Sequence, residues 1–158
     1  MPMTEAVRRL RRSGALILIL ALFGCAGPPR AGLAESAAPP PGYARIWIYR
    51  TYNPYTSQAT PYVRINGRIV GVSELGGALY RDVPPGVYTI TVDSPGRDVN
   101  QFATVALVAG QVVYIKTDAN NWWATMCRRC EVDTFYTRVV SPQLAHAEMA
   151  ALPAYAGG

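Results

Sequence analysis

The chain has 158 residues, half of them hydrophobic and 16% charged, with a formal net charge of +5. That composition suits one domain with its own core and excludes a chain disordered throughout. Residues 1–24 hold four positive charges (Arg8, Arg9, Arg11, Arg12) against one negative charge, Glu5, so the rest carries only +2 and no nucleic-acid partner is expected.

The N-terminus reads as an export address. In "VRRLRRSGALILILALFGCAG" a basic segment precedes an apolar run, residues 15–24. As a helix this run spans ~15 Å, short of the ~30 Å of a hydrocarbon core but suited to a signal peptide. It ends in Leu22-Phe23-Gly24-Cys25, which resembles the bacterial lipobox. The resemblance implies cleavage before Cys25, lipidation of its thiol and acylation of the new amino terminus. Several acyl chains on one residue anchor stably to a membrane, whereas a single chain binds only marginally. Ala26, where sorting signals carry Asp, implies an outer-membrane destination if the cell is Gram-negative. The alternative is an ordinary secretory signal that contains a cysteine.

Residues 25–42 follow as the lipidated cysteine and a tether. "AGPPRAGLAESAAPPPG" is rich in Pro, Ala and Gly and lacks apolar periodicity. Such a segment is semi-rigid and could hold a domain up to roughly 50 Å from a membrane at ~3.1 Å per extended residue. "GLAESAA" could alternatively form one helical turn.

Residues 43–152 have the texture of a β domain. "ARIWIYR" alternates, with Ile46 and Ile48 on one face and Arg45, Trp47 and Tyr49 on the other. Asn66-Gly67 lies between two β-branched runs, a strong hairpin signal. Pro85-Gly86 in "DVPPGVYTITV" predicts a type II turn, after which Tyr88, Ile90 and Val92 share a face. "FATVALVAGQVVYIKTD" reads as two strands joined at Ala109-Gly110, and Gly76-Gly77 as a bulge or tight turn. "EVDTFYTRVV" alternates once more. Ser141 is a candidate N-cap and Pro142 a first helical residue for "QLAHAEMAAL", which Pro153 stops. Residues 153–158 are expected to be a flexible tail. The pattern predicts an all-β antiparallel sandwich of six to seven strands with a short C-terminal helix.

Taken in order, the lipobox, the short linker, "ARIWIYR", "VRINGRIVGVSELGGALYRDVPPGVYTITV", "VALVAGQVVYIKTD" and "RVVSPQLAHAEM" resemble bacterial lipoproteins of domain-of-unknown-function family 2846. That family's pattern is an aromatic-rich first strand, a V-x-I-N/D-G-x-x-x-G hairpin, a D-x-P-P-G-x-Y/H-T-I turn and A-G-x-x-Y-Y-I-K. The resemblance covers about residues 43–152 and implies a transthyretin-like or immunoglobulin-like sandwich. It transfers no catalytic residues, because the family has no assigned activity, and turns of this kind recur in many sandwiches. "NWWATMCRRCEVD" departs from the pattern.

Cys127 and Cys130 need a separate reading. In an extended strand their Cα atoms would be ~10 Å apart, beyond disulfide reach, whereas a β-turn brings residues i and i+3 within ~7 Å. An exported compartment is oxidising, and lipidation of Cys25 leaves the two as a pair. A structural disulfide is the leading expectation, a local staple contributing roughly 2 kcal/mol. Thiol–disulfide exchange is the alternative, helped by Arg128 and Arg129 but opposed by the strand-forming residues after Cys130. A metal would need two more ligands, and His146 is the only histidine, so neither metal nor cofactor is expected.

Two aromatic clusters remain. One is "TYNPYTSQATP" with Tyr52 and Tyr55, flanked by Tyr49 and Tyr62; the other is Asn120-Asn121-Trp122-Trp123. Adjacent Trp122 and Trp123 cannot both face the core of a regular strand. Exposed Trp and Tyr beside Asn can stack on sugars or anchor a protein partner, although packing in the sandwich accounts for such residues too. Asp82, Asp93 and Asp98 beside Pro/Gly turns are expected to cap those turns. No G-x-S-x-G, paired-histidine or Gly-rich phosphate motif is present. The expected function is therefore a non-enzymatic envelope module, bound to the membrane through Cys25 and to an envelope protein through a sheet edge or the aromatic loops. Glycan or small-ligand binding through Trp122, Trp123, Tyr52 and Tyr55 is the second possibility, and exchange at Cys127/Cys130 the third.

Overall fold

The computed structural model describes residues 38–123, 131–152 and 156–157. Eight strands of four or more residues form two sheets, one or two strands more than the turn signals predict. They are β1 (Ala44–Tyr49), β2 (Tyr62–Ile65), β3 (Arg68–Val72), β4 (Ala78–Val83), β5 (Gly86–Val92), β6 (Ala103–Leu107), β7 (Val112–Trp123) and β8 (Glu131–Val140). Helix α1 (Pro142–Met149) and a two-residue strand, β9 (Ala156–Gly157), follow. One sheet has the order β8-β7-β1-β4-β9 and the other β3-β2-β5-β6.

The sandwich is not purely antiparallel. β1 runs parallel to β7, and β9 parallel to β4. Parallel neighbours require a crossover; here the chain between β1 and β7 builds the whole opposing sheet. Sequence periodicity identifies strands but not their neighbours, so this mixture was not legible.

The turns follow their residues with one exception. Asn66 and Gly67 both have positive φ, 49° and 79°, the type I′ geometry that suits a tight hairpin. Gly76 has φ 73°, and the Gly77 amide donates to the Glu74 carbonyl at 3.1 Å, closing a tight turn. Gly86, however, is not in the left-handed region and simply begins β5. The predicted type II turn is absent because β4 and β5 lie in different sheets. Pro84-Pro85 carries the chain across the sandwich rather than reversing it within a hairpin.

The main core lies between the sheets. Ile46 and Ile48 of β1 meet Val63 of β2, Ile90 of β5, Ile115 of β7 and Phe135 of β8, all buried. β1 is buried on its other face too. Trp47 and Tyr49 pack under α1 with Ala145 and Met149. Covering a large side chain in this way stabilises by about 1.5–3 kcal/mol. The helix starts as its sequence implies, with Pro142 in its first turn and the Leu144 amide donating to Ser141 Oγ at 3.3 Å. Among the described residues no helix is long and apolar enough to cross a membrane.

Candidate binding site at one end of the sandwich

After Tyr49 the alternation of β1 continues for one more residue, and that residue is an arginine. Ile46, Ile48 and Arg50 fall on the same, inward register. Arg50 is only 2% exposed. Its backbone amide donates to the Gly77 carbonyl at 2.9 Å. Nη1 donates to the Ala59 carbonyl at 2.7 Å and Nη2 to the Ser57 carbonyl. A longer bond, 3.4 Å, runs from Nη1 to the Ser73 carbonyl, and the guanidinium lies 5.2 Å from the Phe135 ring centre. Burial lowers the Arg50 pKa, while the charges of Asp133 and Glu74 act in the opposite sense. The group stays ionised nonetheless, because a guanidinium holds its proton in proteins.

Arg50 is thus a clamp beneath residues 51–60. The loop adds ties of its own. Asn53 Oδ1 accepts from the Tyr55 amide at 3.0 Å, and the Asn53 carbonyl accepts from the Thr56 amide and hydroxyl at 3.2 and 3.0 Å. Asn53 suits this place because its short amide mimics a backbone turn. The outcome is a fixed loop with its aromatics outward: Tyr52 is 65% and Tyr55 90% exposed.

The second aromatic cluster reaches the same end of the molecule. β7 is paired with β1 only as far as Lys116, opposite Tyr49. Beyond that point residues 117–123 continue as a ribbon with β8, in the register Asn120↔Thr134, Asn121↔Asp133, Trp122↔Val132 and Trp123↔Glu131. The ribbon and the tyrosine loop meet at Asp133, whose Oδ2 accepts from the Ser57 hydroxyl. On the neighbouring loop, the Gly96 amide donates to the Asp133 carbonyl at 2.9 Å. A side chain at Gly96 would collide with Thr134 Oγ1, so only glycine permits that approach. Asn120, midway along this ribbon, is exposed. Cys127 and Cys130, like Cys25, lie outside the described residues.

Other charged groups have structural partners. Asp82 and Asp93 do not cap turns as expected. Arg45 grips Asp82 through two bonds, 2.6 and 2.8 Å, and Arg64 grips Asp93 through bonds of 2.6 and 3.0 Å. Each arginine's hydrogen bonds hold its aspartate below the usual carboxylate range. Asp98 accepts from Tyr136 Oη at 2.8 Å and from the Val99 amide at 2.7 Å. His146 Nε2 lies 2.7 Å from Tyr114 Oη on the outer face of the larger sheet. Among the described residues no three His, Cys, Asp or Glu side chains converge as a metal site.

Sequence reading finds Tyr52 and Tyr55 but misses Arg50, Ser57 and Asp133, which set their platform. The available signal was Arg50's inward register, an arginine placed where the strand otherwise offers isoleucine. Ser57 and Asp133 carry no local signal, because their contact joins residues 76 positions apart. No protein-family model and no curated protein matches the chain.

Proposed function

We propose that this chain is a lipid-anchored bacterial envelope protein of the 2846 type, whose sandwich works as a non-enzymatic interaction module. The observation that supports this reading is the clamped loop, with Tyr52 and Tyr55 largely exposed over a buried arginine. Ordering a loop and its side chains on binding costs about 0.5–1.5 kcal/mol per side chain. Here the backbone is held in advance by Arg50, Asn53 and Ser57. Tyrosine adds large contact area with few torsions to freeze, and it is enriched among the residues that carry binding energy. The ribbon bearing Trp122 and Trp123 starts beside this loop, so a partner covering both would engage the sandwich end rather than a face.

The test is crosslinking in cells followed by identification of captured proteins, using the full chain. Replacing Tyr52 and Tyr55 together by Ser should abolish capture of the principal partner while thermal stability stays within a few degrees. Undiminished capture would remove the loop from the interface. A second reading, stacking on a glycan, is favoured by exposed Asn120 on the ribbon whose Asp133 meets the tyrosine loop. It requires retention of the full chain on peptidoglycan and loss of that retention in Trp122→Ala. A chain that peptidoglycan never retains excludes it.

A further inference from the structure

The two ends of the sandwich differ in charge. The strand registers put Ala44 opposite Val83, Arg45 opposite Val112 and Gly86 opposite Leu107. The start of β1, the 84–85 link and the 108–111 link therefore share one end. The Gly110 amide donates to the Tyr43 carbonyl at 2.8 Å and ties the second link to the incoming chain. The β2–β3 hairpin points the same way, with Asn66 Nδ2 donating to the Val87 carbonyl at 3.4 Å.

That end presents apolar groups to water. Val108 is 67%, Val87 64% and Tyr43 43% exposed, and Pro84 and Pro85 are exposed beside them. Residues 40–44, 66–69, 83–88 and 106–112 contain no Asp, Glu or Lys, and their one permanent charge is Arg68. Asp82, the next acidic residue along β4, is held by Arg45. The opposite end carries Glu74, Arg97 and Asp98, all exposed. Single exposed apolar side chains are ordinary, but several on neighbouring loop tips with no carboxylate among them mark an interaction surface.

The path of the chain says what this surface meets. Residues 38–43 lead into β1 at this end, so the tether from Cys25 arrives here and not beside the tyrosine loop. We infer that this end of the sandwich docks on the lipid bilayer, with Tyr43, Val87 and Val108 in the headgroup layer. The inference rests on the lipid anchor of the proposed function. A tether makes docking an intramolecular event at an effective concentration of order millimolar, so a contact too weak for a free protein can hold a tethered one. Tyrosine suits such an interface because its ring is apolar and its tip polar. Arg68 can lay its stem along the apolar end and keep its head among phosphates. β1 is 6 residues long, about 20 Å at ~3.3 Å per residue. Docking therefore points the tyrosine loop away from the bilayer, toward partners.

The test uses the full lipidated chain in protein-free vesicles of phosphatidylethanolamine and phosphatidylglycerol, with and without brominated lipid, which quenches tryptophan on contact. Two variants carry a reporter, Val108→Trp at the docked end and Tyr55→Trp at the far one. Both indoles favour an interface equally, so only their placement separates them. After subtraction of the parent signal, brominated lipid should quench the Val108→Trp reporter and leave Tyr55→Trp undimmed. Adding Val87→Asp to the Val108→Trp chain should remove that quenching, because a carboxylate resists leaving water. Its melting temperature should not change, since the site is exposed. Flotation of the parent with the same vesicles reports the anchor separately. A parent that does not float refutes the anchor and this inference with it. A parent that floats while both reporters are quenched alike, or neither is, overturns the docking and leaves the anchor intact. A Val108→Trp reporter shielded in cells but unquenched in these vesicles would assign the end to a protein partner and likewise overturn the inference.

Discussion

Arg50 shows how one residue can organise a surface it does not itself present. Its side chain is buried, yet its donors go to carbonyls of residues 57, 59 and 73, so it holds the loop from within. Replacing it by Ala would leave buried carbonyls without donors and a void beneath the loop. Arg50→Ala should therefore cost about 3 kcal/mol in urea unfolding. The same variant should make residues 51–60 cleavable by protease under native conditions, where the parent resists. Stability and loop protection both unchanged would mean that the loop holds itself. Asp133 has a related role. One oxygen accepts from Ser57, while Oδ1 has no partner among the described residues.

At the scale of elements, the helix is docked by one carboxylate. Glu148 accepts from Tyr49 Oη at 2.6 Å and from Lys116 Nζ at 2.7 Å, joining α1 to β1 and β7. Burial pushes the Glu148 carboxyl up, but the hydrogen bonds from Lys116 and Tyr49 outweigh it and hold it below its ordinary value. Burial first, then the Glu148 hydrogen bond and charge, raises the Tyr49 phenol well above the ordinary range. For a carboxylate depressed on folding, the stabilisation is present above the unfolded-state value and is lost as pH falls through the folded one. Stability should therefore fall between about pH 5 and pH 2, with Asp82 and Asp93 contributing in the same direction. Glu148→Gln should lower stability at pH 7 by about 1 kcal/mol, a figure kept small because the carboxylate is partly solvated. The gap between variant and parent should close as the pH drops toward 3; a gap independent of pH would show that packing, not charge, docks the helix.

For the whole molecule, the expected address and the fold make separate claims. The sequence leads to the expectation of a lipidated Cys25 ahead of a 17-residue Pro/Ala/Gly-rich tether, and the structure describes the domain that follows. If the anchor is as proposed, the mature chain begins at Cys25 and carries a mass increment matching acylation there. Cys25→Ser should then release it from membranes into the soluble fraction. An unmodified, freely secreted parent protein would refute the anchor and leave the sandwich untouched. The sandwich itself encloses two apolar clusters, one between the sheets and one beneath α1. The larger sheet is thus covered on both faces over β1, whereas the smaller one keeps a solvated outer face with Thr89, Thr104 and the Arg64–Asp93 pair.

The sequence by itself determined what local chemistry controls. Period-two alternation marked β1, β5 and β8; Asn66-Gly67 placed a hairpin whose positive φ angles the structure bears out. Ser141-Pro142 located the start of the helix. These features depend on residues within a few positions of one another, so neighbouring letters suffice. Only the tertiary structure decided which strands are neighbours. The parallel pairing of β1 with β7 joins Arg45 to Val112, and no periodicity records that distance. For the same reason Pro85-Gly86, a turn by composition, became a link between sheets. The burial of Tyr49 required a helix that arrives about a hundred residues later. The tyrosines were visible in the sequence as residues. Their display was not, because it rests on Arg50 beneath them and on Ser57 meeting Asp133, contacts that exist only once both sheets have closed.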